Sequence, residues 1–473
     1  MFRKIITVIF LSGFSFYSFT QIYSIKGKIN GWKDTICYFG NYYGDKQYVK
    51  DTARIDKSGN FIFEGEKKNP GGIYLVVMPN KRYFELIIDK EQIFSFETDT
   101  SDFIKNMKIK ESEENILFYK YLNFISTRQK ESESLRKQFN DFKKDTLSKS
   151  ATRQDSIKLL QTKLNDIDKE VEKYKIDFIK DYPHLFLTTI FKAQKEPDVP
   201  KSPLLANGKE DSTFNYRYFK EHFFDNIDVT DDRLLRSPIF HTKLKYFFTN
   251  VIIQHPDSII KEADILTEKA KSNKETFKYL VYYFTSTYES SNIMGMDAVF
   301  VHEVEKYYIT KKAYWVDSVQ LQKIIHRGLT LKPLLIGKPA PPLVMQDTNG
   351  KDVFLYSIKA KYTILLLWDP DCGHCQKVVP KMETFYEKIK LKGIKVYAVN
   401  TQHEDDKWKK FIREKNLNFI NVHDKYKQYS LFQLYDIYST PVIYLLDDKK
   451  IIKAKRIDVE QLEGFIDHLE KIK

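Results

Sequence analysis

Trp368-Asp369-Pro370-Asp371-Cys372-Gly373-His374-Cys375 opens on the last residue of the continuous apolar run Tyr362–Trp368. Such a run suits a central strand covered on both faces. The residues after it predict a helix to about residue 391, so both cysteines fall at a strand-to-helix junction. On a first helical turn, residues three apart share one face. That spacing suits a disulfide, which needs Cα atoms roughly 4.4–6.8 Å apart. Free backbone N–H groups and the positive end of the helix dipole stabilise a thiolate there. Such positions lower a thiol pKa from about 8.5 to roughly 3.5–7.5. Cys372 is the expected nucleophile. Cys375, one turn inside, is expected to attack the mixed disulfide and release the partner. A protonated His374 would further favour the thiolate and make the disulfide easier to reduce.

The pair has two alternative uses. Half a zinc site would need His403 or His423 as further ligands, because Cys37 is the only other thiol. A structural disulfide is the second alternative. Three cysteines in 473 residues exclude a disulfide-built scaffold and a four-thiolate zinc site within one chain. Placement between a central strand and a helix favours redox exchange.

Around this motif, residues 336–473 alternate between strand and helix. Gly337-Lys338-Pro339-Ala340-Pro341-Pro342 reads as an entry linker, and Asn349-Gly350 as a hairpin turn. Strands are expected over 394–400, 419–422, 442–446 and 451–455. Helices are expected over 404–415, 425–434 and 459–472. This order gives a mixed sheet with helices on both faces.

Residues 111–335 read as helical. Ile157, Leu160, Leu164, Ile167, Val171, Tyr174 and Phe178 form a heptad seam. It is expected to pair with a preceding helix carrying Leu135, Phe139 and Phe142. Further helices are expected over 214–224, 244–253, 258–270 and 275–288, with a loop over 196–211. The histidines scattered here show no i, i+4 pairing with an acidic residue, so no metal role is assigned to them. Residues 21–110 read as about seven short strands in a sandwich or barrel. Cys37 falls in one of them and reads as a buried, idle thiol.

Residues 1–20 have the order of an export signal. Arg3 and Lys4 precede a charge-free run over 5–19, and Ser18-Phe19-Thr20 forms a cleavage pattern. An uncleaved anchor is the alternative. The mature chain is expected in the periplasm or cell envelope, where disulfides can form. The formal charge is +13, but only 12 of the 77 basic residues are Arg. Lys is dispersed without an Arg-rich stripe, so nucleic acid is not an expected partner.

The stretch Trp368–Cys375 resembles the active site of thioredoxin-fold thiol:disulfide oxidoreductases of the exported TlpA-like type. Pro380 stands where that family has a helix proline. Thr440-Pro441 matches its cis-proline, which faces the cysteine pair and helps dock substrate. Gly337 to Pro341 resembles the family's entry segment. The resemblance covers about 135 residues. The whole layout is similar to multidomain bacterial envelope proteins: an N-terminal all-β sandwich or barrel, a central all-α region and a C-terminal α/β thioredoxin fold. It implies Cys372 and Cys375 as catalytic, with Trp368, Gly373, His374, Thr440 and Pro441 in support. It also implies protein thiol or disulfide substrates, a membrane-bound thiol electron donor, and no organic cofactor or metal. Two departures stand out. Leu366 replaces the buried Asp that many thioredoxins carry six residues before the first cysteine. Gly373-His374 is the dipeptide of protein disulfide isomerases. Two rival functions follow from other readings. One is a thiol peroxidase, although Asp369 does not supply the hydroxyl that peroxiredoxins place before their cysteine. The other is a binding or assembly module carrying a passive thioredoxin domain.

Overall fold

The computed structural model describes residues 22–144, 151–402 and 405–471. The export signal expected over 1–20, and His403, lie outside the described residues. The chain divides into two units, Met1–Val251 and Ile252–Lys473. The division falls inside the stretch read as one helical region. No helix among the described residues is long and apolar enough to cross a membrane.

In the first unit, alternating aromatic and polar residues form eight strands, one more than expected. They are β1 (Tyr23–Asn30), β2 (Thr35–Tyr43), β3 (Lys46–Ile55), β4 (Asn60–Gly65), β5 (Gly72–Val77), β6 (Tyr83–Ile88), β7 (Ile93–Asp99) and β8 (Lys108–Lys110). The extra strand, β8, has only three residues and pairs with β7. The sheets run β4-β1-β7-β8 and β3-β2-β5-β6. Phenylalanines join them. Phe39 of one sheet stacks on Phe63 of the other at 4.9 Å, and Phe84 meets Phe96 edge-on at 5.3 Å. The domain is therefore a sandwich, with its core between the two inner faces. Cys37 is fully buried there with its thiol 3.7 Å from the Ala53 carbonyl.

The helical hairpin forms between Glu113–Lys144 and Ala151–Asp181. Leu160, Leu164, Ile167 and Phe178 of the seam are buried. Its partners differ from those expected. Tyr121 and Phe124 pack on Tyr174, whereas Leu135 and Phe139 are half-buried and Phe142 is exposed. The large aromatic contacts lie toward the base of the hairpin. Two later helices shift from their expected bounds, to Pro238–Tyr246 and Pro256–Lys269. Each starts on a Pro behind a capping side chain, Ser237 or His255.

In the second unit, helices Pro256–Lys269, Lys274–Glu289, Asp297–Glu303 and Ser318–Leu331 precede a seven-stranded sheet. Its strands are β9 (Val344–Asp347), β10 (Asp352–Phe354), β11 (Tyr362–Trp368), β12 (Ile394–Asn400), β13 (Ile420–His423), β14 (Val442–Asp447) and β15 (Ile452–Lys455). The order is β10-β9-β13-β12-β11-β14-β15. β11 lies parallel to β12 and antiparallel to β14. Every residue of β11 is buried. Tyr362, Ile364, Leu366 and Trp368 face one core, beneath helices Cys375–Ile389, Asp405–Glu414 and Val459–Lys471. Leu365 and Leu367 face the other.

Helices do not cover the two faces equally. The second face is closed by short turns, Lys332–Leu334 and Leu431–Leu434, so Leu334 of the helical segment enters this core. The helix expected over 425–434 shrinks to Leu431–Leu434. The Asp424 carboxylate accepts from the backbone N–H groups of Gln428 and Tyr429, and Lys427 sits at φ +54°, which a continuing helix forbids. The segment from Gly337 is not a free linker. Gly337 N–H donates to the Ile452 carbonyl and Ala340 N–H to that of Lys450, extending the sheet at β15.

Candidate active site

The site is built where β11 ends. Asp369 to His374 form a turn, and the helix starts at Cys375 rather than at Cys372. Cys372 lies just before it, and its carbonyl accepts the helical bond from Gln376 N–H at 3.0 Å. The backbone N–H groups of His374 and Cys375 are thus left without helical acceptors and turn toward the Cys372 sulfur.

The two thiols have opposite environments. Cys372 is partly exposed. Its limited burial pushes the pKa up. That effect is outweighed by hydrogen bonding to Thr440, to the Cys375 and His374 N–H groups and to the Cys375 thiol, so the pKa ends below the ordinary thiol value. Cys375 is fully buried, and burial pushes it up to about 12, with the neighbouring Cys372 charge adding to the effect. A Cys375 S–H that donates to a Cys372 thiolate accounts for both directions. Both cysteines are free thiols in this structure. Cys372 Sγ also lies 3.3 Å from the Thr440 carbonyl, and Asp369 N–H lies 3.4 Å from Cys375 Sγ.

The supporting residues take these places. The Thr440-Pro441 peptide is cis, and Pro441 shares a cavity of about 410 Å³ with His374, Val378, Tyr438 and Ser439. His374 is exposed, and what it brings to Cys372 is its backbone N–H. A Cβ at Gly373 would meet nothing within 4 Å, so the surface over the turn is open. Trp368 is wholly buried in the same core as Cys375, 5.2 Å from the Phe411 ring. Pro380 lies inside the helix. Leu366 is buried in the same core, where no carboxylate could be solvated. Three residues past Leu366, the Asp369 carboxylate accepts from Gln402 Nε2 at 2.9 Å and from Asp371 N–H at 2.8 Å. Nothing in the sequence pattern linked Gln402, 33 residues away, to this turn.

His423 does not join the cysteines. It stacks on Trp408 at 4.7 Å and pairs with Asp405 at 2.7 Å. Elsewhere in the unit, Asp264, His302 and Glu303 converge, although their sequence spacing gave no metal signal. Lys306 Nζ lies 2.7 Å from Asp264 and already places a cation there.

Residues 336–455 match the AhpC/TSA family. Residues 23–118 and 161–331 match two domains of unknown function, DUF4369 and DUF5106. The chain is 32% identical over 134 residues to the thiol-disulfide oxidoreductase ResA of Bacillus thuringiensis (strain Al Hakam), covering 28% of this chain and 76% of that protein. It is 31% identical over 119 residues to thiol-disulfide oxidoreductase ResA of Bacillus subtilis (strain 168), covering 25% of this chain and 65% of that protein. Among solved structures, a domain of a possible thiol-disulfide isomerase from Cytophaga hutchinsonii is 48% identical, with a TM-score of 0.29. That match covers 29% of this chain and 95% of the domain.

Proposed function

The chain belongs, through its C-terminal domain, to the thioredoxin-like thiol-disulfide oxidoreductase family, and from that membership we propose that it exchanges disulfides with protein substrates at Cys372 and Cys375. The observation that carries this reading is the contrast between the two sulfurs. One is accessible and held toward the thiolate, and the other is buried and held as the thiol.

The Cys372 thiolate attacks one sulfur of a substrate disulfide. A Cys372–substrate disulfide forms, and the other substrate sulfur leaves as a thiolate that takes up a proton. Cys375 then loses its proton and attacks Cys372 Sγ. The intramolecular disulfide forms and the second substrate thiol departs, so the substrate gains two electrons and the pair loses two. Reduction by another thiol protein, membrane-bound in this proposal, resets the pair. Run backwards, the same steps oxidise a dithiol. Pro441 and the Thr440 backbone flank the attacking sulfur, where an extended peptide would lie. The proposed location is the periplasm or cell envelope, reached through the export signal over 1–20.

A carboxylate at Asp369, already engaged by Gln402 and Asp371, offers no hydroxyl to a peroxide, which favours disulfide exchange over peroxidase chemistry. The test is Cys375→Ser in the full chain. It should accumulate mixed disulfides through Cys372 in envelope extracts, while the wild type reduces insulin. Absence of adducts, together with a wild type inert toward insulin, would exclude the proposal.

A further inference from the structure

The loop that faces Cys372 is held from outside the thioredoxin-like domain. Asp436 begins the segment that runs through Tyr438 and Thr440 to Pro441. Its side chain is only 5% exposed and its backbone is left-handed at φ +51°. Arg327, on the helix Ser318–Leu331, grips both oxygens of that carboxylate. The guanidinium also lies over the Tyr438 ring at 4.8 Å. Arg456 adds a second hold, 2.6 Å from Asp436 Oδ2.

The helix that carries Arg327 is itself fixed. Asp317 caps it through the N–H groups of Val319 and Gln320. A Cβ at Gly328 would come within 2.7 Å of Val304, so only glycine lets the helix sit this close. Arg327 therefore projects from a rigid base. A planar fork on a carboxylate sets direction as well as distance, and an ammonium cannot do the same. Downstream, the Thr440 carbonyl meets Cys372 Sγ at 3.3 Å, and Tyr438, Ser439 and Pro441 form one wall of the cavity beside His374.

We infer that Arg327 is a positioning residue for the exchange reaction: the helical segment uses it to set the Asp436–Pro441 loop against Cys372 and the docked peptide. This inference rests on the thiol-exchange reading above. It gives the helical segment a part in the chemistry of a domain to which it does not belong by sequence.

Removing Arg327 leaves Asp436 paired with Arg456, so the carboxylate is not orphaned and the fold should survive. The experiment uses the full chain with Arg327→Ala and Arg327→Lys, and a peptide containing one disulfide as substrate. For Arg327→Ala, KM should rise about tenfold with kcat within about twofold, as expected when docking is lost and chemistry is kept. The pH midpoint for alkylation of Cys372 should shift, because the Thr440 carbonyl that contacts its sulfur moves with the loop. Arg327→Lys should fall between Arg327→Ala and the wild type on both readouts. A folded Arg327→Ala with wild-type KM and an unmoved alkylation profile would overturn the inference. If that variant does not fold, Tyr438→Ala and Arg327→Lys are judged by the same two readouts. A wild type that exchanges no peptide disulfide defeats the functional reading itself. A wild type that does, beside an Arg327→Ala protein indistinguishable from it, defeats only the role of Arg327.

Discussion

Leu366 is fully buried on β11, in the core that also holds Cys375. Its place six residues before Cys372 marks the absence of a family carboxylate. Only the structure shows that both neighbours on its face, Ile364 and Trp368, are buried in the same apolar core. Cys375 therefore sits in a dry environment, which holds its thiol protonated. Leu366→Ala should cost about 2–5 kcal/mol, as large-to-small changes in a closed core do. Urea unfolding of the purified protein would measure it, and a loss below about 1 kcal/mol would mean the face is loosely packed. Cys372 and Cys375 were legible because their spacing and their place after an apolar run carry the chemistry. Gln402 and Arg327 were not, because each reaches the site across a fold that no local pattern encodes.

Among the elements, strand bounds follow the sequence pattern more closely than helix bounds do. β11 and β12 have the bounds expected from their continuous apolar runs. β14 extends one residue beyond its expectation, and β15 starts one residue later. Burial on both faces leaves such strands little freedom of register. Helix bounds moved wherever a side chain competed for backbone. Asp424 halts the helix expected over 425–434 by satisfying two N–H groups in a non-helical turn. The Asp369–His374 turn delays the active-site helix until Cys375. That delay has a chemical consequence, since it leaves the His374 and Cys375 N–H groups free to face sulfur. The prolines of the entry segment give it the composition of a linker, yet its backbone pairs with Lys450 and Ile452. Pro339 needs no N–H there, since the donors come from Gly337 and Ala340.

For the molecule as a whole, the boundary between regions is the main lesson. The helical stretch over 111–335 is shared between two compact units that divide at Val251 and Ile252, and the DUF5106 match over 161–331 spans that division. Its second part shares buried charge with the thioredoxin-like domain. Lys455 of β15 is almost enclosed, pairs with Asp297 and donates to the Leu334 carbonyl at 2.9 Å. Burial pushes the Lys455 pKa down, and Asp297 opposes that shift. Removing the anion strands a buried cation, so Asp297→Ala should destabilise the unit by about 3–5 kcal/mol. Thermal melts of the full chain would register it as a lowered melting temperature, and an unchanged melt would mean Lys455 finds another partner. Patterning cannot reveal such a contact, because Asp297 and Lys455 lie 158 residues apart.

Exchange at this site requires that one sulfur be ionised and reachable while its neighbour stays protonated. Alkylation of the reduced full-length protein by iodoacetamide across a pH series, mapped to each cysteine by mass spectrometry, measures this. The folded environment lowers the Cys372 pKa, so its reactive thiolate should be present above a midpoint below 9.0 and lost as pH falls through it. Cys375 and Cys37 should stay unlabelled until the pH approaches about 12. If Cys372 labels only at or above pH 9.0, or if Cys375 labels first, the assignment of nucleophile and resolving thiol is wrong.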